Sequence, residues 1–244
     1  MKAEYISHMG TDNTVADAAR VSFSKTSENF TAAQNKGLIQ FLARGCMKGD
    51  WDTMVTELSQ GQGTKEDVNA LLKHVKNMPT HFSPFTHPQI TLLETVPIFV
   101  ARQTFKHQIG FTRNEVSRRY VDDTPEFHVP ESWRSRPVGG IKQGSAGTHL
   151  SNDYHRGNYA GFIEAAQSLY ENMIEDGVAP EQARMVLPQS MLTTYWVTGS
   201  LYAWANAYIQ RSDAHAQVEI QQLAAQWDTI IQPLFPESWK ALTK

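Results

Sequence analysis

Apolar residues recur at three- and four-residue spacing in residues 38–42, 68–75, 159–174 and 201–231, the pattern of helices that bury one face. The last two are the longest, so the carboxyl half is predicted to be mainly helical. Residues 89–96, QITLLETV, carry instead the β-branched content of a short strand. Pro97 comes next, and its fixed φ and missing N–H suit the first turn of a helix running through PIFVARQTFKHQ. Residues 114–120, NEVSRRY, read as extended. Residues 48–67 and 135–152 are rich in Gly, Ser, Thr and other polar types and read as loops or insertions. Strand signals set among helices define an α+β fold.

Composition narrows this picture. A chain of 244 residues suffices for one large core, so a single domain over 1–244 is expected, with polar insertions near 48–67 and 135–152. Hydrophobic residues at 41% and charged residues at 19% are ordinary for a soluble protein, and no apolar run approaches the roughly 20 residues that span a bilayer. The opening segment, MKAEYISHMGTDNTV, has neither the basic nor the apolar stretch of a secretory signal, so a cytoplasmic location is expected. A net charge of -3 supplies no field for a nucleic-acid backbone. The one cysteine, Cys46, excludes an internal disulfide and a site of several thiolates. His81 and His87 stand six apart without an accompanying carboxylate or cysteine pair, so no metal site is expected.

Two segments carry candidate chemistry. If residues 98–108 are helical, Gln103, Lys106 and His107 share a face, either as a ligand cluster or as a solvated helix end. If 114–120 is extended, Glu115, Ser117 and Arg119 fall on one side, and Val116, Arg118 and Tyr120 on the other. Acceptor, hydroxyl and guanidinium together suit a nucleoside monophosphate, the alternative being a charged sheet edge. Further on, Arg211 lies near a break between two helical stretches, with Ser212 and Asp213 as candidate caps of the second. It can project into a pocket there, or pair with Asp213 or Glu219.

The stretch ARQTFKHQIGFTRNEVSRRY, with His107, Ser117, Arg119 and Tyr120, is similar to the signature motif of the flavin-dependent thymidylate synthases. AARVSFSK, HFSPFTHPQITLLETVPIFVARQ, RMVLPQSMLTTYW and QRSDAHAQVEIQQ resemble other blocks of that family, in the same order. Lys106 and Gln108 stand where the family has arginines. The resemblance implies that FAD, reduced by NADPH, delivers hydride while methylenetetrahydrofolate supplies one carbon to dUMP. It implies a homotetramer with active sites between subunits. It assigns His81, Ser83, Lys106, His107, Gln108, Glu115, Ser200 and Asn206 to cofactor binding. Gln103, Lys106, Glu115, Ser117, Arg119, Arg184 and Arg211 fall to the substrate, with Arg211 as the catalytic group beside the uracil ring. Cys46 is then an inert thiol, and no Gly-x-Gly-x-x-Gly run follows a strand, so the flavin would not sit in the usual dinucleotide-binding fold. Two alternatives remain open: a related enzyme giving a hydroxymethyl product, and a nucleotide-binding protein without catalysis.

Overall fold

The computed structural model describes residues 1–46, 56, 59–60, 64–66, 68–69, 72, 81–139 and 144–244. Most of the predicted helix at 68–75 and of the polar stretch at 48–67 lies outside the described residues. Four antiparallel strands, β1 (Lys2–Met9), β2 (Gln89–Pro97), β3 (Phe111–Glu115) and β4 (Leu192–Ser200), form a sheet in the order β1-β2-β4-β3. The helices described from end to end are α1 (Asp12–Arg20), α2 (Ala32–Ala43), α3 (Ile98–Thr104), α4 (Asn152–Glu175), α5 (Pro180–Ala183), α6 (Leu201–Arg211), α7 (Val218–Ile231) and α8 (Pro236–Thr243). The α+β expectation and the helical carboxyl half both hold.

The two central strands decide the layering. Along β2, burial alternates, with Ile90, Leu92, Glu94 and Val96 buried and the residues between them half-buried. β4 repeats the pattern with Thr193, Tyr195 and Val197. Period-two alternation places one face of this ribbon against helices and leaves the other nearer to water. The covered face meets Trp204 of α6, Trp227 of α7 and Trp239 of α8, all essentially fully buried. Trp204 and Trp227 meet edge to face with ring centroids 5.3 Å apart, a favoured geometry for aromatic quadrupoles.

Three local devices place the segment that later carries the candidate site. Pro97 ends β2 with φ -65° and acts as the N-cap of α3 rather than its first helical residue. The first N–H groups of α3 are satisfied from outside, Ile98 donating to the Met191 carbonyl (3.0 Å) and Phe99 to that of Gln189 (3.2 Å). Gly110, at φ +78°, then lets the chain return into β3 hard against α6, where a Cβ would sit 2.9 Å from that of Ala203.

The structure corrects several expectations. The helix after Pro97 stops at Thr104 and does not reach Gln108, because the Thr104 carbonyl accepts from the His107 N–H (3.0 Å) and from Arg113 (3.0 Å) as the chain turns back, and not from the Gln108 N–H that a continuing α-helix would supply. Residues 114–120 are extended only through Glu115. The Ser117 carbonyl then accepts from the N–H groups of Tyr120 and Val121 and closes a turn, so the alternation of Glu115, Ser117 and Arg119 onto one side fails. The break expected near Arg211 is present and divides the 201–231 periodicity between two helices. Neither proposed cap acts on the second: Gln217 occupies its N-cap position without a side-chain bond, Ser212 closes α6, and Asp213 accepts from the His215 N–H at 2.8 Å. The periodic reading also named no strand at β1 or β4 and no helix at α1 or α8.

Gly199 of β4 stands opposite Phe111 of β3, and a Cβ at 199 would lie 2.4 Å from the Phe111 ring. That ring cannot swing freely, since it packs edge-on to buried Trp204 at 4.9 Å. Gly199→Ala is expected to destabilise by about 1–3 kcal/mol, read as a lower Tm, and a smaller residue at 111 is expected to restore part of it. An unchanged Tm would show that β3 yields without cost.

Candidate active site

The turn after α3 is held by two guanidinium groups. From β3, Arg113 donates to the His107 carbonyl (2.7 Å) and the Thr104 carbonyl (3.0 Å). Its charge lies over the Phe105 and Phe111 rings, 5.4 and 4.7 Å from their centroids. From the end of α6, Arg211 donates through Nε to His107 Nε2 (2.9 Å) and through Nη2 to the Gln103 carbonyl (2.8 Å). An arginine Nε–H only donates, so His107 Nε2 accepts and the ring proton sits on Nδ1. Burial, then the charges of Arg211 and Arg113, push the His107 pKa down to about 4, so the imidazole is neutral near pH 7.

Around this turn, three openings collect the candidate residues. The largest, about 990 Å³, is lined by Lys106, His107, Gln108, Thr112, Ser200 and Asn206, with Phe82 and Tyr202 stacked at its side (centroids 5.2 Å). Tyr202, Asn206 and Gln210 line it together at four-residue spacing along α6. Ser200 is buried, and its hydroxyl is engaged as the N-cap of α6, accepting from the Ala203 N–H. A second opening of about 620 Å³ holds Gln103 and Arg211 with Asp213, His215 and Gln217, and Gln210 borders both. Glu219 does not pair with Arg211: both its oxygens accept from Arg134 Nη2, at 2.6 and 2.8 Å. Burial alone would raise the Glu219 pKa, but the bond and charge of Arg134, together with hydrogen bonds from the backbone and the Gln217 side chain, outweigh it and hold the group below its ordinary value.

The third opening, about 610 Å³, lies at the far end of β3 and is lined by Glu115, Ser117 and Arg184 together with Arg118 and Thr193. Thr193 donates to Glu115 Oε1 at 2.7 Å and fixes the carboxylate. Arg118 is occupied by Asp123 at 3.0 Å, whereas exposed Arg184 bonds only the Glu181 carbonyl at 3.2 Å among the described contacts. Arg119 reaches Glu181 from outside the opening, at 3.9 Å. Within one chain, then, the structure brings Lys106, His107, Gln108, Ser200 and Asn206 together, joins Gln103 and Arg211 to them through the His107 bond, and sets Glu115, Ser117, Arg119 and Arg184 apart. Four strand steps from Phe111 to Glu115 span about 14 Å.

His81 and Ser83 are exposed beside these residues, at the short 3-10 turn Ser83–Thr86, and their neighbours Phe82 and Thr86 line the largest opening. Cys46 follows α2, half-buried against the core, and lines none of the three openings. Among the described residues, no three His, Cys, Asp or Glu side chains form a metal cluster, and no helix is long and apolar enough to cross a membrane. Sequence reasoning missed Arg113, Phe82, Tyr202 and Thr193. Phe82 lies inside the quoted HFSPFTH block, but Arg113 could be found only by knowing that β3 folds back over the turn.

A four-stranded sheet backed by helices, with a cation-held turn between two clefts, forms a concave site whose charges favour an anionic ligand. The chain belongs to the thymidylate synthase complementing protein family, which matches residues 4–237. It is 32% identical over 194 residues to a flavin-dependent thymidylate synthase of Thermosipho africanus, covering 77% of this chain and 82% of that protein. A protein of the same description from Kosmotoga olearia is 35% identical over 167 residues, covering 66% and 70%. The fold is shared with a UMP/dUMP methylase of Streptomyces cacaoi, solved with 5-Br dUMP, at a TM-score of 0.74 over 99% of this chain and 94% of that one, with 24% identity.

The lowered His107 pKa has a signed consequence. Between about pH 4 and the ordinary value of 6.5, the unfolded histidine takes up a proton that the folded one refuses. The stability contributed by neutral His107 is therefore whole above 6.5 and lost as the pH falls toward 4. His107→Gln, whose amide oxygen can still accept from Arg211, is expected to lose less stability over that interval in urea melts. Equal losses in the two proteins would refute this.

Proposed function

We propose that this enzyme of the thymidylate synthase complementing family methylates C5 of dUMP to give dTMP, with bound FAD, NADPH as reductant and methylenetetrahydrofolate as carbon donor. The carrying observation is Arg211, a cation that lines one cleft and is fixed at two of its nitrogens by Gln103 of that cleft and by His107 of the neighbouring one. A guanidinium held in that way can favour negative charge at N3 of a uracil ring and so raise the nucleophilicity of C5 without a thiolate. Cys46, outside the three openings, fits that scheme.

The residues suit the ligands. The opening around Lys106 combines a cation, the Gln108 and Asn206 amides and the Phe82–Tyr202 stack, the donor set and aromatic wall that a flavin nucleotide requires. Lys106 supplies a point charge and Gln108 a neutral amide in place of the arginines that the resemblance implies, so binding there is weakened and the reaction retained. When bound, FAD supplies the hydride chemistry. Glu115, Ser117, Arg119 and Arg184 suit a nucleoside monophosphate, its phosphate meeting the arginines and its sugar the carboxylate and hydroxyl. His81 and Ser83 line the cofactor side.

Because the nucleotide residues and the Lys106 opening face different ends of β3, we assign complete sites to the junction of subunits in a homotetramer. Two surfaces support that assembly. The outer face of the sheet leaves Leu93 half-buried and Trp196 52% exposed, and α4 leaves Tyr154, Phe162 and Leu169 exposed. We also propose a cytoplasmic location, and we read 1–244 as one domain, since one buried core joins α2, the sheet and α6 to α8.

The test is direct. Purified protein is expected to be yellow, to release FAD on denaturation, and to convert dUMP to a product that mass spectrometry identifies as dTMP. A hydroxymethyl product would replace this reading with a related one, and a protein that takes up no FAD would end it. Arg211→Lys is expected to lower turnover roughly a hundredfold, because it keeps charge but loses the fork. Cys46→Ser should leave turnover unchanged.

A further inference from the structure

Glu94 is a carboxyl group in the wrong place for a charge. It lies on the covered face of β2, 1% exposed, directly opposite Tyr195 in the register of β4. Trp227 Nε1 donates to its Oε1 at 2.7 Å, and its Oε2 shares a short hydrogen bond with the Tyr195 hydroxyl. Tyr195 Oη in turn lies 2.9 Å from the Thr104 hydroxyl, which lies 2.9 Å from the Ala101 carbonyl. Three oxygen-to-oxygen contacts run in line from the carboxyl to the backbone of α3.

The hydrogens decide which charge state fits. With an ionised Glu94, Tyr195 must give its only hydrogen to the carboxylate. The single Thr104 hydrogen must then serve both Tyr195 and Ala101, and one contact is left without a proton. With a protonated Glu94, the carboxyl donates to Tyr195, Tyr195 to Thr104 and Thr104 to Ala101, so every contact has its own hydrogen. We propose that Glu94 is a positioning residue, held as a neutral acid that orders this hydroxyl chain and thereby fixes the end of α3 from which the His107 turn hangs. The Thr104 carbonyl at that end also receives the Arg113 and His107 N–H groups, so the chain and the clamp on the turn meet in one residue.

The surroundings agree. Burial raises the Glu94 pKa to about 7 against the lowering effects of Tyr195, Trp227 and the Arg113 charge. Tyr195 is itself raised by burial and by Glu94, and the Arg113 guanidinium lowers both groups. The sign is opposite to that of His107. A folded value above the ordinary 4.5 gives stability that is whole below 4.5 and is lost as the pH rises through about 7.

The test reads the protein without ligand. Difference infrared spectra of the wild type are expected to show the carbonyl stretch of a protonated carboxylic acid that disappears as the pH passes about 7 and is absent from Glu94→Gln. The His107 imidazole resonances should show an inflection over the same range, separate from the ring's own titration near 4, and Glu94→Gln should remove that inflection while keeping the low-pH shifts. Tyr195→Phe, which interrupts the chain without emptying the core, should displace the His107 resonances at every pH. No protonated-acid band, or an inflection that persists in Glu94→Gln, would overturn the proposal. As a second arm, resting on the proposed function, FAD affinity of the wild type should fall above about pH 7 and that of Glu94→Gln should not. Failure of FAD to bind with the His107 inflection present would count against the function and not against Glu94.

Discussion

Nine residues of β2 pair with nine of β4, and the molecule is organised by which side of that ribbon is dry. On the dry side the indoles of α6, α7 and α8 and the aliphatic side chains of both strands exclude water, so any polar group there must bring its own partners. Glu94, Tyr195 and Thr104 meet that demand together with the Trp227 indole N–H and the Ala101 carbonyl. The same strands continue directly into α3 and α6, each beginning at the residue after its strand ends. The helix ends that carry the His107 turn and Arg211 are therefore positioned by the sheet.

Electrostatically, the region gathers cations that the net charge of -3 conceals. Arg113, Arg211 and Lys106 surround one short turn, and His107 stays neutral because protonation would add a positive charge to a half-buried group already facing two. A site of this kind favours anionic ligands locally, which a count over the whole chain cannot reveal.

The legible parts of the sequence were those in which one physical signal acted alone. Residues 89–96 read as a strand and proved to be the centre of the sheet, and the break at Arg211 was visible between two periodic stretches. β4 was missed although LTTYWVTGS is rich in strand formers, because it runs without punctuation into a periodic helix. The turn after Thr104 was missed for a different reason. PIFVARQTFKHQ has helical content throughout, and the Thr104–Tyr195 bond that accompanies its end joins residues 91 positions apart. Grouping was harder still: family blocks could name Glu115 and Lys106, but only the strand between them shows that one chain holds them in separate openings.

That strand acts as a ruler. β3 is five residues long, with Thr112 lining one opening and Glu115 another, and it is an edge strand paired only to β4. Losing two residues from it would preserve which way each side chain faces yet bring the openings about 7 Å closer, while losing one would turn Glu115 to the opposite face. A change of length in this short segment therefore disturbs more than a change of side-chain identity does. Insertions must fall where the distance between the two openings is not being measured.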